Sequence, residues 1–213
     1  GVFSFHSATA ANGPVQEQTR VAVPAALTPA LFAVSSNCRE CHDALTDEDG
    51  EDISFVHHWE TTMMRFSFLD PFWQAKVRSE TLRIPGHAKA IEEKCVRCHA
   101  PMASVQALAD GQAVSIFGDG FASVQNQYHE IAMGGVGCTL CHQITEPMSG
   151  EDSFSGHFNI SASRLAWGPF APKSARTMEQ RVGYLPAQAS HLGTSEFCAS
   201  CHELSTDYVD VNG

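Results

Sequence analysis

The sequence predicts a mostly irregular chain with short α-helices, and three observations point that way. No stretch alternates apolar and polar residues strongly enough to read as a strand. Helix signals are present but short, and most are bounded by proline or glycine. All eight cysteines fall in four copies of one five-residue pattern, loosely spaced with room for a few helices and loops between copies.

Residues 1–37 precede the first copy and read as an N-terminal arm, and residues 38–213 form the domain that carries all four copies. Gly13-Pro14 marks a turn, and the Ala/Pro-rich run from Val21 to Pro29 reads as extended rather than helical. The acidic loop Asp47 to Asp52 reads as solvated surface, since it matches no EF-hand spacing. A helix is predicted from about Ser54 to Phe66, carrying His57, His58 and Trp59. Asp70 is a good N-cap and Pro71 a good first helical residue, so the next helix runs to about Arg83 and stops at Pro85-Gly86. Another starts at His87 and leads into Cys95. Ser123 to Met133 reads as a helix stopped by Gly134-Gly135. Residues 145–172, with many Gly, Ser and Pro, read as irregular, and a short helix from Ser174 to Val182 precedes the last copy.

The repeated pattern is Cys-x-x-Cys-His: CRECH (Cys38, Cys41, His42), CVRCH (Cys95, Cys98, His99), CTLCH (Cys138, Cys141, His142) and CASCH (Cys198, Cys201, His202). This is the c-type haem attachment motif, in which two thiols form thioethers with the haem vinyl groups and the next histidine ligates the iron. Four zinc or redox sites would explain the cysteines, but zinc needs no histidine after every second cysteine, and a redox motif would not recur four times. The expectation is therefore four haem c groups with their iron, and a multihaem cytochrome c fold wrapped around a chain of four covalent haems. Thirteen Phe and three Trp suit such a body, because flat porphyrins pack well on aromatic rings.

Seven histidines lie outside the motifs: His6, His57, His58, His87, His129, His157 and His191. Four would complete bis-histidine ligation. His87, His129 and His191 each stand a few residues before a motif, where they can reach a neighbouring haem. His157 follows the third motif on an irregular loop. His57 and His58 are adjacent, so on a helix they point about 100° apart; they serve different haems, or one supports a ligand from behind. The candidate sixth ligands are His6, His58, His87, His129, His157 and His191. Methionine competes as a ligand type, but the six methionines read as packing residues.

The formal net charge of −11, to which haem propionates would add, argues against nucleic acid and anionic membranes as partners. The longest apolar stretch, Val21 to Val34, is interrupted by Pro24, Thr28 and Pro29 and is too short to span a bilayer. Covalent haem attachment takes place outside the cytoplasmic membrane. With no initiator Met and no signal segment in the sequence, the expectation is a processed, exported protein without an anchor.

Several fragments in order resemble the tetrahaem group related to the cytochrome c554 family. They are Trp59-x-x-x-Met63-Met64, Asp70-Pro71-Phe72, CVRCHAP, Gly135-Val136-Gly137-Cys138, Gly168-Pro169-Phe170 and Ser195-Glu196-Phe197-Cys198. The resemblance spans roughly residues 38–204. It implies electron transfer, and within the group the OmcE-like type polymerises into extracellular filaments, or nanowires. There a subunit lends one histidine to its neighbour's haem, a role that His6 would fill here. The chain departs from cytochrome c554 in having Met64 where that family member has a histidine, so this ligand role moves to His57, His58 or a histidine from elsewhere.

Two function classes follow. In the first, saturated bis-histidine iron carries electrons without substrate chemistry, either in a secreted homo-polymer passing charge to external acceptors or in a soluble periplasmic shuttle between redox partner proteins. In the second, a multihaem enzyme acts on nitrogen or sulfur compounds, which needs an open iron position. The histidine surplus favours the first, so no catalytic residue is assigned.

Overall fold

The structure is a computed structural model and describes residues 30–145 and 150–205. After a 3-10 turn at Ser35–Cys38 come α1 (Arg39–His42), α2 (Phe55–Glu60), α3 (Met63–Phe66), α4 (Pro71–Arg83), α5 (Ala88–His99) and α6 (Pro101–Ala109). Further along lie α7 (His129–Met133), α8 (Cys138–Cys141), β1 (Leu165–Gly168), α9 (Ala175–Val182), β2 (Leu185–Gln188) and α10 (Ser195–His202). Helix takes a larger share of the described residues than the sequence suggests.

The centre is α6. Its residues from Pro101 to Ala107 are all buried. One side, with Ala103 and Ala107, joins a cluster containing Phe68, Trp73, Val77, Val96 and Phe121. The other, with Met102 and Val105, joins Leu31, Phe32, Leu140, Ile144 and Phe158. A helix buried on every side has no outer polar face to show as periodicity, which is why sequence pattern alone does not single it out. Pro101 separates it from α5: proline brings no N–H, and Ala100 before it leaves the helix with φ −136° and ψ 53°.

α4 has the expected limits. The Asp70 carboxylate accepts from the Phe72 amide at 2.9 Å, and the helix ends at Arg83, just before Ile84 and Pro85. The helix expected over 54–66 is broken into α2 and α3. The Thr61 hydroxyl donates to the His58 carbonyl at 2.9 Å and the Thr62 hydroxyl to the Trp59 carbonyl at 2.8 Å, sharing those carbonyls with their own amides in a tightened i−3 turn that ends the helix. The helix expected over 123–133 is shortened to α7. Ahead of it, Ser123 Oγ accepts from Gln125 N and Asn126 Oδ1 accepts from Tyr128 N, holding two successive turns.

β1 and β2 were not anticipated. They pair in parallel, Leu165 opposite Leu185, with α9 as the crossover between them. α9 starts after Ser174 as expected and stops at Gly183, whose φ of +73° suits a C-terminal cap. Arg164 ties this unit to the start of the described chain, donating to the carbonyls of Gly183 at 2.9 Å and Ala30 at 2.6 Å, with its guanidinium 4.2 Å from the Tyr184 ring centroid.

The expected arm needs a correction. Residues 1–29, including the Gly13-Pro14 turn and the Val21–Pro29 run, lie outside the described residues, but 30–37 pack into the body. Leu31 N–H donates to Gln106 Oε1 at 2.6 Å, while its carbonyl accepts from Gln143 Nε2 and from the Tyr184 hydroxyl, both at 2.9 Å. Leu31 and Phe32 are buried in the second cluster. A boundary at residue 37 therefore cuts through the core. Among the described residues, no helix is long and apolar enough to cross a membrane.

Candidate haem-attachment site

Each Cys-x-x-Cys pair sits on a single helical turn. The first spans the 3-10 turn and α1, the second ends α5, the third is α8, and the fourth ends α10. An i, i+3 spacing on a helix puts both thiols on one face, with the histidine next along the chain. All eight thiols are free of disulfides.

The fold gathers motifs that are distant in sequence. The Cys38 and Cys138 thiols interact across their motifs, and hydrogen bonding between them holds one thiol, Cys138, low at the expense of the other. Ser35 and the nearby His142 help to hold Cys138 low. The second pair is alike: a hydrogen bond from Cys201 lowers the Cys98 thiol, and that of Cys201 rises. Burial, followed by the charges of Cys138 and Cys198, pushes Cys141 up to about 12. Contact thus links motif one to three and motif two to four, and electrostatics links three to four.

Two motif histidines are held ready for ligation. His99 Nδ1 lies 2.7 Å from the Ser67 carbonyl, and His142 Nδ1 donates to the Trp167 carbonyl. A carbonyl only accepts, so Nδ1 carries the proton and Nε2 keeps its lone pair, the state that an axial ligand needs. Burial lowers the pKa of His99, which favours this neutral form, although the Ser67 bond opposes it. His42, half-buried and 5.9 Å from the Phe55 ring, is also lowered, by burial and then by the charge of His142. His202 is exposed at the end of α10.

The other candidates are spread around the body. His129 Nδ1 lies 2.9 Å from the Phe121 carbonyl, which leaves Nε2 available, as in His99. His157 Nε2 accepts from Arg97 of the second motif at 3.1 Å, and burial lowers its pKa. His191 Nε2 donates to the Ile144 carbonyl at 2.9 Å. For both, ligation through Nε2 requires giving up that bond. His58 Nε2 lies 3.0 Å from the Asp52 carbonyl, and the exposed His57 ring meets it edge-on at 5.8 Å. His87 is half-buried at the start of α5. His6 lies outside the described residues.

Among the described residues, no group of three or more His, Cys, Asp or Glu side chains converges as the ligand set of a bare metal ion would. The donors fit a group that brings its own equatorial ligands: two thiols and one imidazole per site. Two further atoms agree. Trp167 Nε1, beside the third motif, and Ser200 Oγ, within the fourth, are buried without a hydrogen-bond partner. Such groups cost about 1–3 kcal/mol each unless something polar completes them.

The glycines ahead of and beside the motifs are placed by contact. Gly135 has φ +60°, and a Cβ there would sit 2.6 Å from the Met64 carbonyl oxygen. Gly156, at φ +80°, brings the loop before His157 against the second motif, where a Cβ would meet that of Arg97 at 2.7 Å.

Sequence reasoning missed Ser67, Trp73 and Trp167 as partners of the motif histidines. Their contacts cross between elements, and no local spacing signals them. No protein-family model, no curated protein and no solved structure matches this chain.

Proposed function

We propose that this chain is an electron-transfer protein holding four haem c groups, attached at Cys38/Cys41, Cys95/Cys98, Cys138/Cys141 and Cys198/Cys201. His42, His99, His142 and His202 are the proximal ligands. The observation that carries this reading is the meeting of thiols from different motifs, Cys38 with Cys138 and Cys98 with Cys201. Motifs that met only solvent would suit separate binding sites; motifs that touch suit a connected path.

When bound, the haems supply one-electron ferric/ferrous chemistry. The chain's own residues anchor, orient and shield. Nδ1 donation to a backbone carbonyl fixes the tautomer and ring direction at His99 and His142 and makes each a better electron donor. His129, presented the same way, is the favoured sixth ligand among the described candidates.

The finer proposal follows the family resemblance: the protein is exported and polymerises into an extracellular filament, with His6 lent between subunits and external acceptors or redox proteins as partners. A head-to-tail contact of this kind produces an open helical assembly.

The test is to express the protein with a c-type maturation system and measure covalent haem per chain by alkaline pyridine spectra and intact mass. Four per chain and a fully low-spin spectrum that ignores cyanide are expected. Fewer than four, or rapid cyanide binding, overturns the reading. Electron micrographs of the same material separate the filament from a discrete periplasmic shuttle.

A further inference from the structure

The His99 imidazole is held on two independent axes. Its Nδ1 lies 2.7 Å from the Ser67 carbonyl, and the Ser67 hydroxyl donates back to the His99 carbonyl at 2.9 Å. This reciprocal pair fixes rotation of the ring within its own plane. The Trp73 ring lies on its face, with centroids 4.3 Å apart and planes 11° from parallel. That contact blocks tilting and rotation out of plane. Trp73 is itself immobilised: it is only 9% exposed and is backed by Phe68, which is fully buried, at 5.6 Å.

Among the described residues, the other motif histidines lack this arrangement: His142 has a carbonyl partner, and the ring at His42 is Phe55, at 5.9 Å and tilted by 46°. Among the described residues, His99 alone of the four combines a carbonyl at Nδ1 with a parallel ring on its face.

We infer that Trp73 is a positioning residue for the second haem site, fixing the plane of the His99 imidazole and so setting that site's spectrum and potential apart from the other three. This rests on the electron-transfer reading above. The physical reason is that the overlap of an imidazole π system with iron d orbitals depends on where the imidazole plane points, and supporting contacts govern that direction. Trp73 acts through the face of His99.

The test uses the mature four-haem protein and the substitutions W73L and W73F. Leucine keeps an apolar side chain but removes the flat face, whereas phenylalanine restores a ring. Low-temperature electron paramagnetic resonance and potentiometric titration read each site. In W73L, one of the four low-spin signals is expected to move and broaden and one midpoint to shift, with the other three unchanged. In W73F, that signal returns most of the way to its native position. If W73L does not fold, W73F decides the matter through a smaller displacement of the same single signal. Native spectra in every variant that folds overturn the inference, and so does displacement of all four signals together. Failure of the electron-transfer reading is separable, because the unsubstituted protein would then lack four low-spin haems.

Discussion

The Cys38 and Cys138 thiols interact, so the first and third Cys-x-x-Cys-His motifs share a boundary although the second lies between them in sequence. Charges added at adjoining sites repel one another. On the proposed four-haem reading, removing the third attachment with C138S/C141S is therefore expected to shift the midpoint of the first site and leave that of the second nearly unchanged. Potentiometric titration of the variant checks this. Equal shifts at the two sites would mean that they are equally far from the third.

Gly135 precedes the third motif at φ +60°, with the Met64 and Arg65 carbonyl oxygens where a Cβ would go, 2.6 and 2.7 Å away. Val136 N–H, next to it, donates to the same Met64 carbonyl at 3.0 Å, so the glycine cannot back away without losing that bond. G135A should cost about 1–3 kcal/mol, from left-handed strain together with forced separation of α3 from this turn. Urea unfolding with an unchanged slope and a lower midpoint is the expected result. G86A, with nothing within 4 Å of the added Cβ and no positive φ, is the matched control and should be near neutral.

Leu31 provides a comparison of unequal hydrogen-bond losses. Its amide has one partner, Gln106 Oε1, whereas its carbonyl has two, Gln143 and Tyr184. Q106L strands a buried donor and should cost about 1–3 kcal/mol, whereas Y184F leaves the carbonyl satisfied and should cost about 0.5–1.5 kcal/mol. Chemical denaturation of the two variants side by side gives the order. Equal losses would show that the Gln106 contact does not survive in solution.

Alkaline stability should depend on the two buried tyrosines. Burial, and then the Asp110 carboxylate 3.0 Å from its hydroxyl, pushes Tyr128 up to about 12; burial also raises Tyr184. An unfolded tyrosine ionises near about 10, so between there and about 12 the folded chain binds more protons than the unfolded one. The stability from this source is fully present below about pH 10 and is lost as pH rises towards the folded value. Phenolate absorbance followed on raising the pH should show late ionisation that coincides with unfolding. Y128F should remove part of that late step.

Where local chemistry decides an element, the sequence was legible. α4 begins and ends as Asp70, Pro71 and Pro85 require, and α9 follows Ser174 and stops at Gly183. Thr61-Thr62 and Ser123-Asn126 defeated the helix pattern because short hydroxyl and amide side chains compete for the groups that a continuing helix would use. The strands were hidden for another reason. Leu165–Gly168 and Leu185–Gln188 are short, mostly half-buried and paired across a helix, so neither carries an alternation of its own. The four Cys-x-x-Cys-His repeats are plain in the sequence, but their meeting in space is not, because no spacing rule connects Cys38 to Cys138. Trp73 on His99 is the same kind of information: a contact between elements, visible only once both are folded.

The triple hold on Leu31 has a mechanical side. A pull applied at residue 30 would load Gln106 in the central helix and Gln143 just after the third motif. Force arriving at residue 30 is therefore carried into the middle of the protein rather than absorbed at its edge.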